Sequence, residues 1–192
     1  MRRFTPLLAA TCIAALQAAC SDAGTVLQPE PSASAARGGV ASADGGTRRI
    51  EMLDACDPTS FNAAIGAGTC SRPGGIKFDD FIATLTANGS ISAWRFAPGQ
   101  VEARVGQTLM AINRGGETHT FTEVEEFGGG INPVLNQITG NTVVAPECLA
   151  LADDDFIPPG SFDADDKVEE AGSEKYQCCI HPWMRTTVTA RD

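Results

Sequence analysis

Tyr176-Gln177-Cys178-Cys179-Ile180-His181-Pro182-Trp183-Met184 sets a thiol, an imidazole and a thioether within seven residues of a 192-residue chain. Soft sulfur donors beside an imidazole are the ligand chemistry that selects copper in an electron-transfer site. The chain has two histidines. The other, His119, lies in Asn113-Arg114-Gly115-Gly116-Glu117-Thr118-His119-Thr120-Phe121, a strand-to-loop segment able to supply the missing ligand.

The flanking sequence reads as short strands. Lys175–Cys179 and Thr186–Ala190 bracket the motif, and upstream lie Ile91–Phe96, Val101–Val105, Thr108–Asn113 and Thr118–Val124. Pro98-Gly99, Gly106-Gln107 and Gly115-Gly116 separate them, so an all-β sandwich is the economical solution. Phe78, Phe81, Ile82 and Leu85 fall at i, i+3, i+4 and i+7, which predicts one amphipathic helix stopped by Asn88-Gly89 and packed on the flank. The stretch 127–162 contains Gly128-Gly129-Gly130 and Pro158-Pro159-Gly160, and is expected to be a long irregular insertion, either functional or a lid over the sandwich.

Seven cysteines occur. Cys12 falls in an export-signal pattern, with Arg2 and Arg3 ahead of the apolar run Leu7–Leu16, too short to span a membrane. Leu16-Gln17-Ala18-Ala19-Cys20 resembles a bacterial lipobox, although Gln17 stands where an aliphatic residue is usual. The two readings of residues 1–19 are a lipoprotein signal with Cys20 acylated, and an ordinary signal cut near Ala18 or Ala19. Cys56, Cys70, Cys148, Cys178 and Cys179 then form an odd set in an exported protein. Two disulfides and one metal thiolate account for all five. Spacing does not fix the connectivity; the assignment expected is Cys56 with Cys70 and Cys148 with Cys179, leaving Cys178 as the ligand. Neighbouring side chains on a strand point to opposite faces, so Cys178 and Cys179 do not both aim at one metal.

Residues 20–49 are rich in Ala, Gly and Ser, a composition expected of a flexible tether. The formal net charge is -10 and becomes -12 without residues 1–19, which excludes a nucleic-acid partner, whose phosphates demand a basic face. Asp153, Asp154, Asp155, Asp163, Asp165, Asp166, Glu169, Glu170 and Glu174 either steer a basic redox protein, such as a cytochrome, or keep a loop solvated.

Trp94-Arg95-Phe96-Ala97-Pro98, Val105-Gly106, Asn113 followed by His119, Pro159-Gly160 and the stretch 176–184 together resemble the cupredoxin, or type 1 blue copper, family over residues 90–192. The C-terminal motif resembles the short ligand loop of amicyanins. This resemblance implies a Greek-key β-sandwich holding one copper ion that cycles between Cu(I) and Cu(II). The ligands it implies are His119, Cys178, His181 and the weak axial Met184. It further implies a backbone N–H from Thr120 on the sulfur, and a surface-lying His181 in an apolar patch of Pro182 and Trp183 where a partner docks. Cys179 and the length of the 127–162 insertion depart from the family pattern.

The organisation expected is therefore a signal at 1–19, a linker at 20–49, an extension with a short helix at 50–89 and a copper domain at 90–192. The function expected is single-electron transport between redox partners by a monomer in the bacterial periplasm or cell envelope, with membrane association through Cys20 and no catalytic residues. A copper storage or delivery module is the alternative. Zinc, which rarely recruits Met, and a metal-free domain with a vicinal Cys178-Cys179 disulfide also remain open. A multicopper oxidase needs more histidines than the chain has.

Overall fold

The computed structural model describes residues 46–72 and 74–192; the signal, Cys20 and the linker up to residue 45 lie outside them. Two four-stranded sheets face each other. The first is built from β1 (Thr47–Leu53), β2 (Arg95–Ala97), β4 (Thr108–Asn113) and β8 (Phe162–Asp163), in the order β2-β1-β4-β8. The second has the order β3-β10-β9-β6, from β3 (Gln100–Arg104), β6 (Thr122–Val124), β9 (Gly172–Gln177) and β10 (Arg185–Arg191). Alternation explains the pairing of their faces: Val101 and Ala103, Leu109 and Ala111, and Val188 and Ala190 are buried while their neighbours are not. Ile50, Met52, Phe96, Phe121 and Tyr176 join them in one core. The result is the expected all-β, Greek-key sandwich with helical additions.

Strand β1 was not expected. Its residues fall at the end of the expected tether and the start of the extension, because Arg48, Arg49 and Glu51 interrupt the short apolar signal of Ile50, Met52 and Leu53. In the fold it runs parallel to β4 from Thr47↔Thr108 to Met52↔Asn113 and antiparallel to β2, at the centre of its sheet. Two other expectations shift. Ile91–Phe96 forms a turn, with Trp94 N–H donating to Ile91 O at 3.0 Å, before the strand begins at Arg95. The stretch Thr118–Val124 splits at Phe121 into β5 (His119–Thr120) and β6, because β5 pairs with β7 (Phe156–Ile157) while β6 pairs with β9.

Two helices cover one end. In α1 (Pro58–Ala64) Asp57 caps the N-terminus by accepting Ser60 N–H at 2.8 Å, and Pro58 occupies the first turn. The predicted helix is α2 (Phe78–Asn88), closed by Gly89 at φ 68° with Asp79 and Asp80 in its first turn. Phe61, Phe81 and Trp94 pack between the helices and the sandwich with centroids 4.8 to 5.9 Å apart, Phe61 stacked on Trp94 and Phe81 edge-on or tilted to both. The 127–162 insertion is more ordered than expected. It holds α3 (Pro133–Thr139), capped by Asn132 and closed by Gly140, two single 3-10 turns, and the strands β7 and β8. Gly130 lies so close to Cys179 that a Cβ would overlap its carbonyl, which is why glycine stands there. Among the described residues no helix is long and apolar enough to cross a membrane.

Candidate metal centre

The loop after β9 folds back on itself before β10 begins. Met184 N–H donates to His181 O at 2.9 Å and Met184 O accepts Cys178 N–H at 3.0 Å, closing the turn 178–184. Cys178, Met184 and His181 are all buried, with His181 4 % exposed. His119 reaches the same place from β5, held there by the ladder to Ile157. Asn113 fixes the approach: its Nδ2 donates to Glu117 O at 2.7 Å and to Ile157 O at 2.8 Å, and its Oδ1 accepts Gly115 N–H at 2.9 Å.

Three of the four residues singled out in the sequence present donor atoms to one another. Cys178 Sγ lies 3.8 Å from Nδ1 of His119 and 3.8 Å from Nδ1 of His181. Bonds of roughly 2.0–2.1 Å to nitrogen and about 2.3 Å to sulfur span such a gap when they meet at about 120°, so the donor set fits a single ion in near-trigonal surroundings. Met184 completes the loop that carries two of them.

The sulfur is prepared as a thiolate. Burial raises the pKa of Cys178, but hydrogen bonds and charge from His119 and His181 outweigh it and hold the thiol well below its ordinary value. Thr120 N–H, the donor that the resemblance implied, reaches Sγ at 3.4 Å, and His181 N–H reaches it at the same distance. Burial lowers the pKa of His119, while its hydrogen bonds to Asp54 and Cys178 push it up to about 9 in the metal-free chain.

The neighbouring cysteine faces away. Cys179 is bonded to Cys148 and packs with Val124 and Ala145 in a separate cluster, while Cys178 belongs to the main core. Cys56 and Cys70 form the second disulfide, and Cys178 is the one free cysteine among the described residues. Both bridges match the sequence assignment, and such bridges fit an oxidising compartment. The vicinal disulfide considered as an alternative does not form.

The surroundings of His181 differ from what the resemblance implied. The imidazole is not at the surface: Trp183 packs edge-on to it at 5.4 Å, Phe81 of α2 packs on Trp183 at 6.1 Å, and Pro182 is buried. The helices of the extension have moved the apolar surface outward. A cleft lined by Phe61, Phe81, Val134, Leu135 and Ile180 leads from exposed Ile65 and Val134 down to Glu117 and His181. Two carboxyl groups also escaped the sequence reading. Asp54 Oδ2 lies 2.9 Å from His119 Nε2, and Glu117 Oε2 lies 3.7 Å from His181 Nε2. Each imidazole thus turns one nitrogen to the cluster and the other to a buried acid.

No family model and no curated protein matches the chain. Solved structures do. A purple cupredoxin from Nitrosopumilus maritimus is 17% identical with a TM-score of 0.40, over 74% of this chain and 98% of that one. A plastocyanin from Dryopteris crassirhizoma, in its oxidised form, is 13% identical with a TM-score of 0.37, over 75% and 100%. A Cu(I) form of an amicyanin variant is 19% identical with a TM-score of 0.33, over 50% and 73%.

Proposed function

We propose that the chain is a mononuclear type 1 copper protein that carries single electrons between redox partners in the cell envelope. His119, Cys178, His181 and Met184 would hold the copper in this reading. The observation that carries it is the convergence of one unpaired, thiolate-prone sulfur with two imidazole Nδ1 atoms at equal distance in the protein interior. A copper ion held by two nitrogens and a thiolate supplies one-electron exchange between Cu(I) and Cu(II) with little rearrangement.

The protein's own groups do the rest. Thr120 and His181 N–H groups neutralise part of the charge on sulfur and so tune the centre. Burial of all four side chains excludes water from the ligands, which favours a carrier over an enzyme that needs an open position. Export fits the two disulfides, and anchoring through Cys20 fits the lipobox-like segment. Glu123, Asp165, Asp166, Glu169, Glu170 and Glu174 line one surface hollow with a single cation, Lys167, among them, and this excess of acids suits a basic redox partner.

Optical and paramagnetic-resonance spectra of the copper-loaded chain test the reading. Intense thiolate-to-copper charge transfer that disappears in Cys178→Ser is the expected result. A colourless Cu(II) complex, or colour that survives the substitution, overturns it.

A further inference from the structure

Asp54 follows β1, 65 positions before His119, yet its Oδ2 meets His119 Nε2 at 2.9 Å with both side chains excluded from solvent. Its carboxylate is held on every side. Oδ1 accepts Gly116 N–H at 2.8 Å and Cys56 N–H at 3.4 Å, and Oδ2 also accepts Glu117 N–H at 3.0 Å. The loop is shaped to this contact: a Cβ on Gly115 would overlap the Asp54 carboxylate, and one on Gly116 would stand 2.7 Å from Cys56 Sγ. Two residues on, Cys56 is bonded to Cys70, so the segment is stapled as well as paired through β1.

The consequence is a matter of tautomers. A neutral imidazole carries one N–H, and the nitrogen that faces a carboxylate surrounded by donors must be the one that donates. In the neutral ring that a metal requires, Nε2 therefore holds the proton and the lone pair lies on Nδ1, the atom facing Cys178 Sγ. We infer that Asp54 is a positioning residue for the metal centre, orienting His119 and holding its Nε2–H so that Nδ1 is free to bind. The inference rests on the ligand set proposed above, and it makes the N-terminal segment part of the site.

Asparagine at 54 tests this better than truncation, because it keeps the shape. With its amide nitrogen at the Oδ1 position it opposes the N–H groups of Gly116 and Cys56. With the nitrogen at the Oδ2 position it opposes only Glu117 N–H, provided His119 switches to accept at Nε2. The second placement costs less and puts the proton on Nδ1, against the metal.

The experiment measures Zn(II) and Cu(II) affinity by chelator competition for the full chain, Asp54→Asn and Asp54→Ala, with melting of each metal-free protein in parallel. Loss of such an outer partner costs roughly 10- to 100-fold in metal affinity, and that loss is expected in both variants, beyond what any change in melting accounts for. The Zn(II)-loaded wild type supplies a reading that no variant need fold for: a slowly exchanging His119 Nε2–H resonance by NMR. Affinities within twofold of wild type, or absence of that Nε2–H resonance, overturn the inference. Zn(II) bound with the expected losses but Cu(II) bound without charge transfer overturns only the electron-carrier reading. A wild type that binds neither ion overturns both.

Discussion

Glu117 Oε2 accepts the indole N–H of Trp94 at 2.6 Å, inside the protein. The same oxygen is the one 3.7 Å from His181 Nε2, so the Trp94 bond holds the carboxyl beside the loop 178–184. Burial raises the Glu117 carboxyl above its ordinary range, against the opposing pull of His181 and the Trp94 bond. Trp94→Phe removes the donor and leaves a buried oxygen unmatched, at a cost of about 1–3 kcal/mol in addition to that of the smaller ring. Glu117→Gln keeps an acceptor for the indole and is expected to cost less. Urea unfolding of the metal-free variants checks the order; a Gln variant less stable than the Phe variant contradicts it.

The two disulfides close loops of different length. Cys56–Cys70 spans 14 positions and Cys148–Cys179 spans 31. Chain-entropy arguments assign about 3 kcal/mol to the shorter loop and roughly 3.5–4 kcal/mol to the longer. Replacing each pair by alanine is expected to lower the melting temperature, more so for the pair at 148 and 179. Because Cys179 faces away from Cys178, the Cys148→Ala/Cys179→Ala protein is expected to keep its metal affinity within severalfold. Loss of metal binding with the fold intact would show that the bridge shapes the site.

The cluster of His119, Cys178 and His181 was legible because few residues could form it. Two histidines and one odd cysteine leave little choice; the strand expected to run to Cys179 ends at Gln177, so it is the bridge to Cys148, and not strand alternation, that separates Cys179 from Cys178. Their carboxyl partners were not legible. Asp54 is one of 24 acids, and only the parallel pairing of β1 with β4 brings it to His119. The strand β1 hid because charged residues occupy its outward positions. The Gly128-Gly129-Gly130 run misled in another way, since each glycine reflects a close approach, Gly128 to Val143 and Ala145, Gly129 to Asn136 and Asn141, and Gly130 to Cys179, instead of irregularity. Asp57-Pro58 and Asn132-Pro133 did carry helix-start signals, and each opens a helix that the pattern of apolar residues was too short to announce.

Asp166 gives a pH dependence separate from the His119, Cys178 and His181 cluster. Burial, then the charges of Asp163, Glu123, Asp165 and Glu174, push its carboxyl up to about 7. The folded chain therefore binds this proton more tightly than the unfolded chain, whose carboxyl titrates near 3.8. Stability from this group is present below about pH 4, declines as pH rises and is lost above about 7. Asp166→Asn is expected to match wild type near pH 4 and to exceed it at pH 8. Solvent screening reduces the gain to about 1–2 kcal/mol. Denaturation at the two pH values checks it, and an equal effect at both contradicts the assignment.

Electron exchange with a basic partner should report the acidic hollow. Glu169 and Glu170 are exposed beside Asp165, Asp166 and Glu174, so they contribute to the field without shaping the core. At about 10 mM salt their charge acts over roughly 30 Å, and at 1 M over about 3 Å. Steering of this kind raises association rates by about 10- to 1,000-fold. The Glu169→Lys/Glu170→Lys protein is therefore expected to reduce a basic cytochrome about tenfold more slowly than wild type at low salt, with the two rates converging at 1 M. Stopped-flow kinetics across that range decides the point. Equal rates at every ionic strength would mean that the partner approaches elsewhere, and the apolar cleft between Ile65 and Val134, which leads to His181, becomes the surface to mutate next.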